Sequence, residues 1–420
     1  MSDPRWYDVL RSIESRRLNR RRLVVTAAAG AAAALPLSLA TRSASAQIDA
    51  TTLVIADETA AAFITLDPGW FYEINPAAAM ALNYEPLYTL PDSQQATEFA
   101  PLLAADFPEL SDDGLTATIK LRDDVKFHSG NPMTADDVIF SWTRLKNIKW
   151  QASFMASDYW SAVEKVDDHT IKLTLTSPNA ALVPILSSLP LSVVDSVLLK
   201  ENGGTDAEDA DTTDTGKEWI NEGNSVGTGP YKCTIWDIEN EVVLEKNADY
   251  WGEPAKLDRI IWRNIEGANQ QLQAVQAGEA DIAFSVDPDA VEGIKAEGTL
   301  QIISGPTLNH QYLALHTSDE VGGPLSSKAL RQAIGHAIDY DGIINDLLKG
   351  AAIQPATIVP EPLLGTDLVA DKKYTLDLAK AQELFDSTGL GEVELTLTYG
   401  AGDTADGGLD NETLVTKLQS

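Results

Sequence analysis

The residue types that most often carry catalysis or bind metals are few in this chain and poorly spaced. Cys233 is the only cysteine, so no internal disulfide can form and no cysteine pair is available for a metal or redox site. The histidines are His128, His169, His310, His316 and His336. No two of them have metal-ligand spacing, and no GxSxG turn or phosphate-binding loop occurs. We therefore expect no enzyme activity, no metal and no cofactor.

Abundant carboxylates leave an exported hydrolase with two catalytic acids as an alternative, although no spacing singles out a pair. A different chemistry is indicated by residues 69–75 (GWFYEIN). Trp70, Phe71 and Tyr72 could line a small-molecule pocket, and Glu73 could pair with a ligand amine. The alternative is a loop anchored in the core by its aromatic residues, with Glu73 solvated. A second aromatic group could add to the wall: Phe154, Tyr159 and Trp160.

The charge balance limits the kinds of partner that the chain can bind. The chain carries 31 basic and 63 acidic residues, a formal net charge of -32, which argues against nucleic acid because phosphate contacts need clustered Lys and Arg. Solubility explains such a charge, and a cationic ligand is the alternative. Residues 201–218 (ENGGTDAEDADTTDTGKE) are especially acidic. They lack the fixed spacing of a calcium loop, so we interpret them as a solvated loop or insertion.

The first 46 residues have the features of a signal peptide of the twin-arginine type. Arg20 and Arg21 belong to an NRRRLVV sequence that resembles the twin-arginine export motif. A weakly apolar run follows at 23–40, and then an A-x-A cleavage motif formed by Ala44 and Ala46. We expect cleavage after Ala46 and a periplasmic mature protein, with an uncleaved membrane anchor as the alternative.

Local patterns predict that helices and strands are mixed along the chain. Residues 51–57 (TTLVIAD) are typical of a buried strand, and residues 116–122 alternate as a half-buried strand does. Thr134 is a candidate N-cap. Three apolar residues then share one helical face: Val138, Trp142 and Leu145. This mixture places the fold in the α/β class.

Four motifs occur in the order and spacing of one protein family. They are residues 127–142 (FHSGNPMTADDVIFSW), 227–252 (GTGPY at the start, NADYWG at the end), 277–282 (AGEADI) and 330–344 (LRQAI, AID and II). Shorter matches, LDP at 66–68 and YEPL at 84–87, precede them. Over residues 50–400 the chain resembles the periplasmic peptide-, opine- and nickel-binding proteins of ABC importers, a solute-binding family. It departs from the family at Ser129, where Asp is usual.

The motifs are mainly structural. Gly227, Gly229 and Pro230 suit a turn into a hairpin strand, and GTGPYK lacks the spacing of a phosphate cradle. Trp142 and Trp251 are expected in the core. The motifs therefore identify the family and leave the ligand open.

The resemblance implies an α/β fold with two lobes joined by a hinge. The first lobe would comprise 48–82 and 218–312, with 83–217 as a subdomain attached to it. The second lobe would comprise 313–420. Members of the family run on beyond this point and cross back to the first lobe, so we expect the C-terminal part to be missing here.

The function implied is capture of a peptide or similar small solute by hinge closure, and delivery to a membrane permease and its ATPase. The resemblance places the segment after LDP in the first-lobe pocket, and Tyr312 at the hinge as a further candidate contact. We expect a monomer. Peptides, nickel complexes, sugars and opines remain open as ligands, and a periplasmic chaperone or sensor on the same scaffold remains an alternative.

Overall fold

A computed structural model of the protein describes residues 50–72, 77–91, 98–303, 310–359, 366–399, 404–405 and 409–419. Two compact units are formed. The first comprises the described residues up to Ile265 together with Ala277–Ile282. The second comprises Glu266–Gln276 and the described residues from Ala283 onward.

Strands occur in both units but are concentrated in the first. In chain order they are β1 Thr52–Asp57, β2 Tyr88–Thr89, β3 Ala100–Pro101, β4 Glu109–Leu110, β5 Thr116–Lys120, β6 Trp160–Asp167, β7 Thr170–Leu175, β8 Tyr231–Asp237, β9 Glu241–Lys246, β10 Arg259–Asn264, β11 Ile282–Ala283, β12 Thr404–Ala405 and β13 Leu409–Asp410. The two larger sheets have the orders β11-β1-β10-β9-β8 and β4-β5-β7-β6.

The five-stranded sheet combines the beginning of the described chain with residues more than 170 positions later. Strand β1 runs parallel to β10, with Leu53 opposite Ile260, whereas β10, β9 and β8 pair antiparallel. Five of the six residues of β1 are buried, as expected for a parallel strand covered on both faces. The prediction of a buried strand here is confirmed.

The four-stranded sheet is antiparallel and has one face on a core. Ile119 of β5 lies opposite Ile171 of β7, and both are fully buried. Buried and more exposed residues alternate along both strands, which is the pattern of a sheet with one solvated face. The half-buried strand predicted from residues 116–122 is confirmed.

Helices surround these sheets and continue into the second unit. The α-helices are Thr59–Ala62, Ala77–Asn83, Ala135–Ile148, Phe154–Ser157, Leu182–Leu186, Ser196–Glu201, Ala210–Thr213, Gly216–Ile220, Ala268–Ala277, Pro288–Glu297, Asp319–Gly322, Lys328–Ala337, Leu378–Ser387 and Asn411–Gln419. Short 3-10 helices occur at Pro68–Trp70, Gln151–Ser153, Leu189–Leu191, Gly323–Ser326 and Thr366–Lys372, and Gly342–Leu347 is a π-helix.

The helix Ala135–Ile148 begins as the sequence predicts. The backbone N–H of Thr134 donates to Asp137 Oδ2 at 2.8 Å, the reciprocal half of a capping box. The three apolar residues of the predicted face are buried: Val138, Trp142 and Leu145. Trp142 Nε1 donates to the Leu191 carbonyl at 2.9 Å, which satisfies the polar atom of this core tryptophan.

The unit boundary differs from the boundary predicted between the lobes. Glu266–Gln276 and the described residues from Ala283 onward group with the second unit, whereas the resemblance implied that 218–312 belong to the first lobe. After β11 the chain leaves the five-stranded sheet and forms the helix Pro288–Glu297, which accounts for the difference from Ala283 onward. Among the described residues, no helix has the length and apolar character needed to cross a membrane.

Candidate ligand-binding site

Two pairs of aromatic side chains are formed between residues 70–72 and 150–154 of the first unit, and we call Trp70, Tyr72, Trp150 and Phe154 the aromatic ledge. The rings of Trp70 and Trp150 lie 5.5 Å apart, and those of Tyr72 and Phe154 meet edge to face at 6.3 Å. Tyr72 is 47% exposed, Trp150 46% and Phe154 36%. The ledge therefore offers apolar ring surface to solvent, as the wall of a small-ligand site does.

The local fold explains how Trp70 reaches the ledge. Asp67 caps the 3-10 helix Pro68–Trp70, because its Oδ1 accepts the Gly69 N–H at 2.8 Å. Pro68 occupies the first position of the helix, where its missing N–H costs nothing. The LDP motif therefore begins a short helix that ends at Trp70 and is followed directly by Phe71 and Tyr72.

Lys217 adds a positive charge to the ledge. Its Nζ lies 4.4 Å from the centre of the Trp70 ring, a cation–π contact. Sequence reasoning named neither Lys217 nor Trp150 as a candidate. Both contact Trp70, from which Lys217 lies 147 positions and Trp150 lies 80 positions away in the chain. No local sequence pattern signals contacts over such separations.

A buried ion network underlies the ledge. Arg144 donates to both oxygens of Asp67 at 2.8 and 2.6 Å, and to both oxygens of Asp214 at 2.7 Å each. The three side chains are at most 2% exposed. Burial opposes the charged form, but attraction by the two carboxylates prevails and raises the pKa of Arg144 above its usual range.

This network joins the three segments that supply the ledge. Asp67 lies three residues before Trp70, Arg144 lies in the helix that leads to Trp150, and Asp214 lies three residues before Lys217. Our interpretation of 201–218 as a solvated loop is therefore wrong for Asp214, whose carboxylate is buried against Arg144. An acidic side chain in such a segment can be buried because its partner comes from a distant helix.

Of the other predicted contacts in the first unit, two are buried and one is half-buried. Phe71 is 4% exposed and belongs to the core beside the five-stranded sheet, and Trp160 is 4% exposed in the core of the four-stranded sheet. Tyr159 is half-buried and packs against that second core. Trp70, Tyr72 and Phe154 therefore belong to the ring pairs of the ledge, whereas Phe71 and Trp160 lie in the cores.

The remaining candidates are placed differently. Tyr312 lies in the second unit, is 78% exposed and has the His310 ring 6.5 Å away. Glu73 and the predicted signal residues Arg20, Arg21, Ala44 and Ala46 lie outside the described residues.

The family motifs meet at a buried carboxylate. Glu85 accepts hydrogen bonds from Thr228 Oγ1 at 2.7 Å, Tyr250 OH at 2.6 Å and Trp251 Nε1 at 3.0 Å. Burial raises the pKa of Glu85, and the three hydrogen bonds oppose that effect. Because its oxygens are occupied by protein donors, Glu85 is suited to hold the motifs together rather than to perform chemistry.

Both ring nitrogens of His128 also have partners within the protein. Its Nδ1 lies 2.7 Å from Ser225 Oγ and its Nε2 lies 2.9 Å from the Gly229 carbonyl oxygen. Burial lowers the pKa of His128 to about 4, so the ring is neutral near pH 7. Burial likewise raises the pKa of the Cys233 thiol to about 12, which makes it a poor nucleophile. Neither residue has the properties of a catalytic group.

The two glycines of the GTGPY motif allow close backbone contact. A Cβ atom at Gly227 would collide with the carbonyl oxygen of Asn83, and one at Gly229 with that of Leu82. Glycine is thus required by the approach of the helix Ala77–Asn83 to this turn. The structural interpretation of the motif is confirmed at these positions.

A depression of about 460 Å³ lies elsewhere on the first unit. It is lined by Ala105, Lys120, Leu121, Arg122, Asp123, Asp124, His169 and Thr170. Its cations are paired, Lys120 with Glu109 and Arg122 with Asp124. No residue of the aromatic ledge lines it, and the ledge has the better chemistry for an amphipathic ligand.

The described ranges contain no group of three or more His, Cys, Asp or Glu side chains that could hold a metal ion.

Comparison with known proteins identifies the family. The family model of bacterial extracellular solute-binding proteins, family 5 Middle, matches residues 98–415. The chain belongs to this family. The resemblance inferred from the motifs is therefore confirmed.

Two curated relatives illustrate the similarity. The probable D,D-dipeptide-binding periplasmic protein DdpA of Escherichia coli (strain K12) is 30% identical over 343 residues, which cover 81% of this chain and 63% of the relative. The glutathione-binding protein GsiB of Pectobacterium atrosepticum is 30% identical over 336 residues, 78% of this chain and 59% of the relative. The chain thus spans about three fifths of the length of these relatives.

Solved structures show the same fold. The periplasmic binding protein DppA from Helicobacter pylori, in complex with the peptide STSA, has a TM-score of 0.65 at 26% identity, covering 80% of this chain and 66% of that one. NikZ from Campylobacter jejuni, in complex with Ni(L-His), has a TM-score of 0.65 at 25% identity, covering 80% and 63%. The predicted two-lobed periplasmic binding protein fold of the α/β class is confirmed.

Proposed function

We propose that this chain is the extracytoplasmic solute-binding component of an ABC importer. It captures a short peptide or a similar small solute by hinge closure and delivers it to a membrane permease and its ATPase. Family membership supports this proposal, as do the peptide-binding names of similar proteins. The proposal includes export by the twin-arginine route, cleavage after Ala46, and action in the periplasm as a monomer without enzyme activity.

The observation that carries the proposal is the aromatic ledge. Tyr72, Trp150 and Phe154 keep a third or more of their surface exposed, although burial of aromatic rings is favourable. Clustered ring surface of this kind suits a site that is completed by a ligand. Glu73 and Tyr312 remain proposed contacts. Tyr159, which is half-buried, remains a proposed contact as well, whereas Phe71 and Trp160 are packed in the cores.

The test is an inventory of small molecules by mass spectrometry, released when the purified chain is denatured. A defined solute is expected, and adding it back should raise the melting temperature by mass action. The double variant Tyr72→Ala/Phe154→Ala should bind that solute about tenfold more weakly or worse, a loss of about 1.4 kcal/mol. Phe107→Ala is the matched control, because Phe107 is also 47% exposed but stacks on Tyr88 instead.

Two outcomes would contradict the proposal. One is turnover of a solute by the purified chain, which would favour the hydrolase alternative. The other is equal binding by the ledge variant, the Phe107 control and the unmodified chain, which would remove the ledge from the site.

A further inference from the structure

Lys217 has an unusual setting for a cation on so acidic a protein. Its ammonium group lies over the Trp70 ring and forms no ion pair with any carboxylate of the described residues. Most other lysines of the first unit that take part in charge contacts face an Asp or Glu, as Lys165 does with Asp136. The positive charge of Lys217 is therefore not neutralised by a neighbouring side chain that the structure describes.

Two other cations next to ledge segments already have carboxylate partners. Arg144 is buried, and all its described hydrogen bonds go to Asp67 and Asp214. Lys149, which directly precedes Trp150, pairs with Asp211 at 3.0 Å. Among the described cations, Lys217 is the one that lies over a ring of the ledge.

We propose that Lys217 and Trp70 form a subsite for a carboxylate that is bonded to an apolar or aromatic group, as at the C-terminal residue of a short peptide. This inference rests on the proposed function and names the ligand chemistry of the same site. The rings of the ledge take the apolar group, and the ammonium of Lys217 pairs with the carboxylate.

A cationic ligand is the competing possibility, because aromatic rings also bind cations. The position over Trp70 is already occupied by the Lys217 ammonium at 4.4 Å, and a second cation there would be repelled. The net charge of -32 attracts cations at long range. Screening limits that attraction to about 8 Å at physiological ionic strength, so the nearest charge decides.

The experiment compares two dipeptides that differ in one charge, Ala-Phe and Ala-Phe-amide, by titration calorimetry on the full chain. Both keep the free amine, so a contact from Glu73 would affect them equally. The unmodified chain should bind Ala-Phe at least about fivefold more tightly than its amide, within the range of single charged contacts. Lys217→Met should abolish this preference, and added salt should reduce it in the unmodified chain.

Lys146→Met is the matched control, since Lys146 is an exposed lysine of the same unit without an ion pair among the described residues. This variant should keep the preference for the free carboxylate. Equal affinity of the unmodified chain for both dipeptides would overturn the inference, and so would a preference that survives in Lys217→Met. Failure to bind either dipeptide would also overturn it, whereas the proposed function is judged separately by the solutes released on denaturation.

Discussion

Replacing Arg144 by Met should destabilise the first unit severely. The variant keeps most of the side-chain volume but leaves Asp67 and Asp214 buried without their cation. Removing one partner of a buried ion network costs about 3–5 kcal/mol, because an uncompensated charge stays in the interior. That is a large share of the about 5–15 kcal/mol by which proteins are usually stable.

The assay is equilibrium unfolding in urea at pH 7, followed by tryptophan fluorescence. Adding Asp67→Asn and Asp214→Asn to the variant should restore part of the lost stability, since the network then holds no uncompensated charge.

Lys165→Met is the control for losing a cation from an ion pair. Lys165 contacts Asp136 at 2.7 Å and Asp168 at 2.8 Å, but these pairs lie on the surface, so the change should be small. Our account of the network would be refuted if Arg144→Met lost no more stability than this control. Failure of the two asparagine substitutions to restore any stability would refute it as well.

Three further changes test other parts of the first unit. Burial raises the pKa of Asp57 from 3.8 to about 6, so stability is lost as pH rises from about 4 to above 6. Asp57→Asn should abolish this loss of about 3 kcal/mol, measured as the change in urea midpoint between pH 4 and pH 8. Gly227→Ala should lower the melting temperature because its Cβ meets a backbone oxygen, whereas Gly293→Ala, in open space, should not. Ser129→Asp sets a second carboxylate against buried Asp195, to which the Ser129 hydroxyl donates at 2.6 Å. It should therefore unfold at a lower urea concentration than Ser129→Ala at pH 7, because two like charges would meet in a buried site.

Local features of the fold could be predicted because short stretches of sequence determine them. The cap at Thr134, the buried face beginning at Val138 and the strand β1 all follow from periodicity and capping chemistry. The order and spacing of the motifs also identified the family, and in this chain residues of those motifs meet at Glu85.

The candidate site could be predicted only in part, because it depends on contacts between distant segments. Trp70, Tyr72 and Phe154 were found by their residue types, yet nothing local distinguished Phe71 and Trp160, which lie in the cores. The burial of Asp214 could not be foreseen either, since it requires Arg144, 70 residues earlier in the chain.

The residues of the family motifs differ from those around Trp70 in whether they are available to a ligand. The motif residues Glu85 and His128 have their polar atoms occupied by protein partners, so they preserve the scaffold whatever is bound. Trp150 and Lys217 belong to none of the family motifs and are in contact with Trp70. Under the proposed function, the motifs therefore maintain the fold and the ledge selects the ligand. It follows that the specificity of this chain should change with substitutions at Trp150 and Lys217 that leave its stability nearly unaltered, whereas substitutions in the motifs should alter stability first.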